Sequence, residues 1–272
     1  MVSQHEQWQL AGTAADVYQT HLVPAIFGPW AQVVVEAGCL QLGERVLDDA
    51  CGTGAVAREA ARRVGVGGAV VGLDNNPGML VVARSVPVSS GPRVEWREAD
   101  AMSMPFADAS FDVVFCQLGL QYFPDRRAAL GEMHRVLVPG GRLVLLVWQS
   151  IEHSPGFAVL AEALERRVGT PAAAIMRAPF VLGDPEAVRA FVAGVGFRDV
   201  SVRGAVGTVR FQSARHFVQY QVAGSPLAAA VGETTDDARD ALTRDVAMAL
   251  QPYESSDGVV FPIAAHLATG HA

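Results

Sequence analysis

Between Val46 and Arg63 the chain reads VLDDACGTGAVAREAARR. An apolar run ends in acid at Asp48, a glycine-rich turn follows, and a helical pattern opens behind it. Gly52 and Gly54 let the backbone turn sharply and approach a ligand closely. The helix start behind them offers N–H groups that have no partner within the helix. Further acids stand at the ends of the next apolar runs: Asp74 closes Ala69–Asp74, and Asp100 follows Val94–Glu98. Taken alone, the glycine turn is ambiguous. Gly52-x-Gly54-x-x-Ala57 also satisfies the dinucleotide fingerprint, and Asp74 stands about twenty residues beyond Gly54, where the ribose ligand of a nicotinamide dinucleotide would be.

Asp48 separates the two chemistries. A carboxylate beside the turn would repel a pyrophosphate and attract the ammonium of a methionine moiety, which favours S-adenosylmethionine. In that reading Asp74 accepts from both ribose hydroxyls, with Leu73 and Asn75 against the adenine. Asp100 accepts from the adenine exocyclic amine, and Ala101 supplies a backbone N–H to the ring. One loop acid alone would be an ordinary solvated residue. Three in series, at the carboxyl ends of successive strands, lie where ligands bind in open α/β sheets.

The elements that must position these residues alternate. Strands are expected at Arg45–Asp49, Ala69–Asp74, Val94–Glu98, Phe111–Cys116 and Arg142–Trp148. Helices are expected at Ala55–Val64, Pro77–Ser85 and Arg126–Leu137, with Asn76 capping the second. Continuously apolar strands joined by helices predict a mostly parallel, doubly wound α/β sheet covered on both faces. Residues 14–38 read as an amphipathic helix broken at Pro24 and Gly28–Pro29. Beyond Ser150, helices are expected at Gly156–Gly169 and Pro185–Gly194, and final strands at Asp199–Arg203 and Val259–Leu267. Between those strands, 213–257 reads as a helical lid, with helical patterns at His216–Val222 and Asp237–Leu250. The expected organisation is an N-terminal helical cap over 1–40, a cofactor-binding core over 41–150, and the rest of the sheet with its lid over 151–272.

The stretch from about Arg45 to Trp148 resembles the class I, Rossmann-like, S-adenosylmethionine-dependent methyltransferases. It is most similar to the group that includes the ubiquinone/menaquinone methyltransferases and many small-molecule methyltransferases. Four ordered blocks carry the resemblance: VLDDACGTG, VVGLDNNPGML, EADAMSMPFADASFDVVFCQLGLQYFPD and EMHRVLVPGGRLVLLVW. It implies a seven-stranded sheet whose antiparallel last strand pairs between neighbours. It also implies that Ala50 and Met79 belong to the cofactor site, that Gln117 and Leu118 flank the methionine part and the methyl group, and that Tyr18 closes over the methionine end. Two positions depart from the family pattern: Ala50 replaces a frequent glycine, and Asp49 stands where an apolar residue is usual.

Methyl transfer is an in-line displacement at a sulfonium, favoured by a dry site that holds the nucleophile in line. A general base is needed only for a weakly acidic acceptor. Glu152 and His153, after the fifth strand, are the candidate pair, with His153 the candidate catalytic base. His21 and Tyr122 are weaker candidates, and His134 reads as solvent-facing. His5, His216, His266 and His271 carry no distinguishing context. The apolar lid could wall an apolar or aromatic acceptor, although its residues could equally pack the lid onto the sheet.

Half of the 272 residues are hydrophobic, enough for a sizeable core. The net charge is −7, and all 21 basic residues are arginine. The acidic balance speaks against a nucleic-acid grip, and the missing lysine excludes a Schiff-base lysine and a phosphate-loop lysine. Cys39, Cys51 and Cys116 form no metal or disulfide pattern and read as reduced thiols, Cys51 and Cys116 as packing residues. No His or acid spacing implies a metal. The start MVSQHEQWQL lacks a signal-peptide pattern and no apolar stretch has transmembrane length, so a cytoplasmic protein with a small-molecule substrate, and no membrane partner, is expected. Two alternatives remain: an NAD-dependent oxidoreductase, and a methyltransferase fold that binds the cofactor without transferring methyl.

Overall fold

The computed structural model describes residues 13–272; His5 and the opening MVSQHEQWQL lie outside them. Among the described residues eight strands form one sheet: β1 (Arg45–Asp49), β2 (Ala69–Asp74), β3 (Glu95–Glu98), β4 (Phe111–Gln117), β5 (Leu137–Trp148), β6 (Arg198–Phe211), the two-residue β7 (Glu254–Ser255) and β8 (Gly258–His271). Their order is β3-β2-β1-β4-β5-β8-β6, and β7 pairs with β8 beside that path. The pairings from β3 to β5 are parallel. β8 runs antiparallel to both β5 and β6 and fills the gap between them, as the resemblance implied.

Alternation along the strands explains why they read as unbroken apolar runs. Val46, Val113, Phe115, Val144 and Leu146 pack into the core on one face. Leu47, Val114, Cys116, Leu143 and Leu145 pack into the core on the other. Both faces are therefore dry, and helices cover them. The crossovers are α3 (Ala55–Val64) from β1 to β2, α4 (Pro77–Ser85) from β2 to β3, and α5 (Arg126–Val136) from β4 to β5. Asn76 caps α4, its side chain accepting from the Gly78 and Met79 N–H groups. The chain steps outward from β1 to β3 and returns to β4, so the sheet order reverses between β1 and β4. A crevice outside the strand ends is expected there.

The N-terminal helix differs from expectation, because neither Pro24 nor Gly28–Pro29 breaks it. α1 (Thr13–Val17) continues through a π-helical stretch (Tyr18–Phe27) into α2 (Gly28–Ala37). In that stretch the Gly28 N–H reaches back to the Val23 carbonyl. The wider turn relieves the clash a proline ring makes with the preceding turn, so only Pro24's own donor is lost.

Beyond β5 come α6 (Pro155–Arg167), an unforeseen α7 (Thr170–Arg177), and α8 (Pro185–Ala193). β6 is far longer than the expected Asp199–Arg203. Most of its side chains are exposed, so it lacks the apolar signature of the central strands. Between β6 and β8 lie α9 (Ala214–Ala223), α10 (Leu227–Gly232) and α11 (Asp236–Leu250). α9 packs on the N-terminal helix, where the His21 and Tyr220 rings stack with centroids 3.7 Å apart. Among the described residues, no helix is long and apolar enough to cross a membrane.

Candidate active site

A cavity opens at the carboxyl ends of the strands, at the point of sheet reversal, walled by the N-terminal helix, α6, α7 and the lid. The turn after β1 forms its floor. Ala50, Gly52 and Gly54 all have left-handed backbone, at φ of 55°, 54° and 85°. For the alanine this conformation costs about 1–2 kcal/mol. A Cβ on Gly52 would meet nothing within 4 Å, so this part of the turn stands open to a ligand. Gly54 has another reason: a Cβ there would come 2.2 Å from the Trp96 ring of β3. Arg58 ties the turn further by donating to the Thr53 carbonyl.

Asp74 lines the cavity and is buried. Its carboxylate accepts from the Gly52 N–H at 2.7 Å and from the Asn76 N–H at 2.8 Å. Burial raises its pKa against these hydrogen bonds. Asn75, Met79 and Asp100 also line the cavity, whereas Ala101 is buried beside it. Asp100 accepts from the Met102 N–H at 2.8 Å.

Asp48 is placed differently from the direct ammonium contact expected of it. It is 1% exposed, lies behind the turn rather than in the cavity wall, and accepts from the Ala57 N–H at 2.9 Å. Burial pushes its carboxyl up to about 8. In this geometry Asp48 fixes the turn to α3 and shapes the site from behind.

After β4, Gln117 and Leu118 both line the cavity. Leu118 joins Ala50 as a cavity-lining non-glycine residue with left-handed backbone, at φ 62°. Strained residues at the ends of two adjacent strands, β1 and β4, are the sort of backbone that clusters at functional sites. Gln117 donates from Nε2 to the Phe27 carbonyl at 3.1 Å, and its Oε1 is buried without a partner among the described residues. Tyr18 stacks on Phe27 with centroids 4.8 Å apart and lines the same cavity. Burial, with Tyr122, Asp74 and Asp48 nearby, pushes its hydroxyl well above the usual phenol range.

The other end of the cavity is apolar: Trp148 from β5, Phe157 from α6, Ile175 and Met176 from α7, then Phe180. These positions carried no functional signal in the sequence, because aromatic and aliphatic residues on helices read as core. The lid contributes Gln221, Gly224, Ser225 and Pro226.

Glu152 and His153 sit exposed on a short 3-10 turn and do not line the cavity. His21 is engaged with Tyr220, and His216 bonds Ser213. His134 is half-buried against the Phe197 ring rather than solvent-facing. His266 is buried, with Nε2 2.8 Å from the Gly183 carbonyl. Cys51 and Cys116 are buried, and burial pushes both thiols up, which makes them inert packing residues. Cys39 is exposed.

Residues 46–141 match the family model described as a methyltransferase domain. Over those residues the chain is similar to a methyltransferase domain. Demethylmenaquinone methyltransferase of Thermus thermophilus is 43% identical over 117 residues, which are 43% of this chain and 53% of that one. The 2-phytyl-1,4-naphthoquinone methyltransferase of Thermosynechococcus vestitus is also 43% identical over 117 residues, 43% of this chain and 52% of that one. The chain thus spans about half the length of the curated relatives it matches. Beyond the methyltransferase domain the likeness is one of fold. Phosphoethanolamine N-methyltransferase 2 of Haemonchus contortus superposes with a TM-score of 0.62 at 20% identity, covering 100% of this chain and 61% of that one. The YcgJ protein of Bacillus subtilis superposes with a TM-score of 0.57 at 19% identity, covering 89% and 97%.

Proposed function

We propose that this chain transfers the methyl group of S-adenosylmethionine to a small, apolar or aromatic acceptor. The carrying observation is a single cavity with an acidic, glycine-floored end over β1 to β3 and an apolar end over β5, joined at Gln117 and Leu118. The residues fit the cofactor. Asp74 offers carboxylate oxygens to the ribose hydroxyls, and Asn75, Met79, Asp100 and Ala101 surround the place for adenine. Gly52 leaves room beside Ala50, and the unpartnered Gln117 Oε1 suits an ammonium. Tyr18 closes the methionine end, while Asp48 and Gly54 hold the turn that shapes the pocket. A dinucleotide suits the turn less well, because Asp74 already occupies the Gly52 N–H that a pyrophosphate would need.

The bound sulfonium supplies an electrophilic methyl group. The protein's part is to hold the acceptor in line and exclude water, which the aromatic walls of Phe157, Trp148 and Phe180 can do. Among the described residues, the titratable side chains lining the cavity are Tyr18, Asp74, Asp100 and Tyr122. The apolar end holds none from α6, α7 or the lid, and His153 stands outside. Transfer in this reading relies on a nucleophile that is already electron-rich or ionised, as an aromatic acceptor can be. The names of the quinone methyltransferase relatives support an apolar ring as acceptor. The reading treats residues up to about 40 and the lid at 213–257 as covers over a core at 41–150. It also places the protein in the cytoplasm, and its net charge of −7 supports a small molecule rather than nucleic acid as partner.

Calorimetric titration with S-adenosylhomocysteine tests the assignment. Asp74→Ala weakens binding at least about tenfold, since a hydrogen bond to a charged group contributes about 1.5–3 kcal/mol. His153→Ala leaves affinity unchanged. Wild-type affinity in Asp74→Ala removes that residue from the site.

A further inference from the structure

We propose that Gln221 is a specificity-determining residue whose amide Nε2 donates a hydrogen bond to an oxygen of an uncharged acceptor. This rests on the methyl-transfer reading above and names the class of acceptor it implies.

Gln221 lies on the inward face of α9, three and four residues after the buried Val218 and Phe217. At that spacing on a buried helix face an apolar side chain is the usual occupant. The glutamine is instead 6% exposed and lines the cavity. Its Nε2 is inaccessible to solvent and has no partner among the described residues. Ser225, which also lines the cavity, does not use the amide: its Oγ donates to the Gln221 backbone carbonyl. A buried amide donor left unpaired costs free energy that a ligand can return.

The surroundings decide what kind of ligand that is. The charged side chains of the cavity, Asp74 and Asp100, stand at the ends of β2 and β3. Around the other end lie Trp148, Phe157, Met176 and Phe180, which offer no counter-charge. An ionised group would be desolvated there without compensation. A pure hydrocarbon would fill the space and leave Nε2 orphaned. An uncharged ring bearing a carbonyl or ether oxygen satisfies both the walls and the donor, and Gln221 selects for that oxygen.

The test uses two ligands of one skeleton, the ketone 1-tetralone and the hydrocarbon tetralin. Both are titrated into the full chain saturated with S-adenosylhomocysteine, for wild type and Gln221→Leu. The readout is the ratio of the tetralin Kd to the tetralone Kd, which cancels the difference in hydrophobicity between the probes when the two proteins are compared. The expected result is a ratio at least about tenfold lower in Gln221→Leu, with tetralin affinity equal to or tighter than that of wild type. S-adenosylhomocysteine should bind both proteins alike, which also shows that the variant is folded. An unchanged ratio overturns the role of Gln221 and leaves the methyltransferase reading standing. A wild type that binds neither probe overturns the apolar acceptor end and Gln221 with it. A wild type that binds no S-adenosylhomocysteine overturns the methyl-transfer reading itself.

Discussion

Asp49 ends β1 with its side chain turned away from Asp48, on the face where Leu47, Leu73 and Cys116 pack. It is 0% exposed, and among the described residues neither carboxyl oxygen has a hydrogen bond of good geometry. Burial, with Asp74 and Asp48 close by, raises its pKa well above the usual carboxylate range. The folded chain therefore keeps Asp49 protonated, whereas the unfolded chain ionises it in the ordinary range. Its contribution favours the fold fully only at acidic pH and is lost as pH rises toward the raised value. Asp48, pushed up to about 8, acts with the same sign. Surface acids such as Asp112 and Glu132, held low by Arg45 and Arg135, act with the opposite sign only below the ordinary carboxylate range. Stability should thus fall between about pH 5 and about pH 8. Asp49→Asn should flatten that slope in urea denaturation and raise stability at the alkaline end. A slope as steep in the variant as in wild type would show that Asp49 is ionised in the fold. The unusual acid at this position was visible in the sequence, but its face and its lack of partners were not, because both depend on the register of β1 between β2 and β4.

At the scale of elements, the glycine turn is held by packing as much as by ligand needs. Gly54 sits at φ 85° against Trp96, and this contact couples the turn after β1 to strand β3. Gly54→Ala should cost about 2–4 kcal/mol, from left-handed strain plus overpacking. In a Trp96→Ala background the same substitution should cost markedly less, read by denaturation in a double-mutant cycle. Equal costs in both backgrounds would show that the backbone alone sets the requirement. Strands β1, β2, β4 and β5 and their crossovers were legible in the sequence because their faces are buried and caps such as Asn76 mark the turns, whereas β3 at the sheet edge is largely exposed. β6 was not legible beyond its first residues: it lies at the sheet edge, with alternating exposure along its length. The N-terminal helix misled in the other direction, since Pro24 signals a break that the π-helical stretch absorbs. The acidic, glycine-floored end of the cavity was legible because acids and glycines are rare inside strands and turns of a core. The apolar end was not, because Phe157, Met176 and Phe180 look like any packed helix residue.

For the molecule as a whole, the stretch 46–141 that matches the methyltransferase model supplies one wall of the cavity, and the N-terminal helix, α6, α7 and the lid supply much of the rest. The N-terminal helix and lid meet through the His21–Tyr220 stack, so the covers over the cavity contact one another as well as the sheet. The curated relatives match this chain over 117 residues, about half of their own length, and folds of this kind carry different chemistry in the parts that vary. The central claim is that the acidic, glycine-floored end binds S-adenosylmethionine. Titration of the purified chain with S-adenosylmethionine, S-adenosylhomocysteine and NAD(H) tests it most directly. The account predicts saturable binding of the first two, with no response to NAD(H). Binding of NAD(H) alone would contradict it and make the chain a dinucleotide-binding protein.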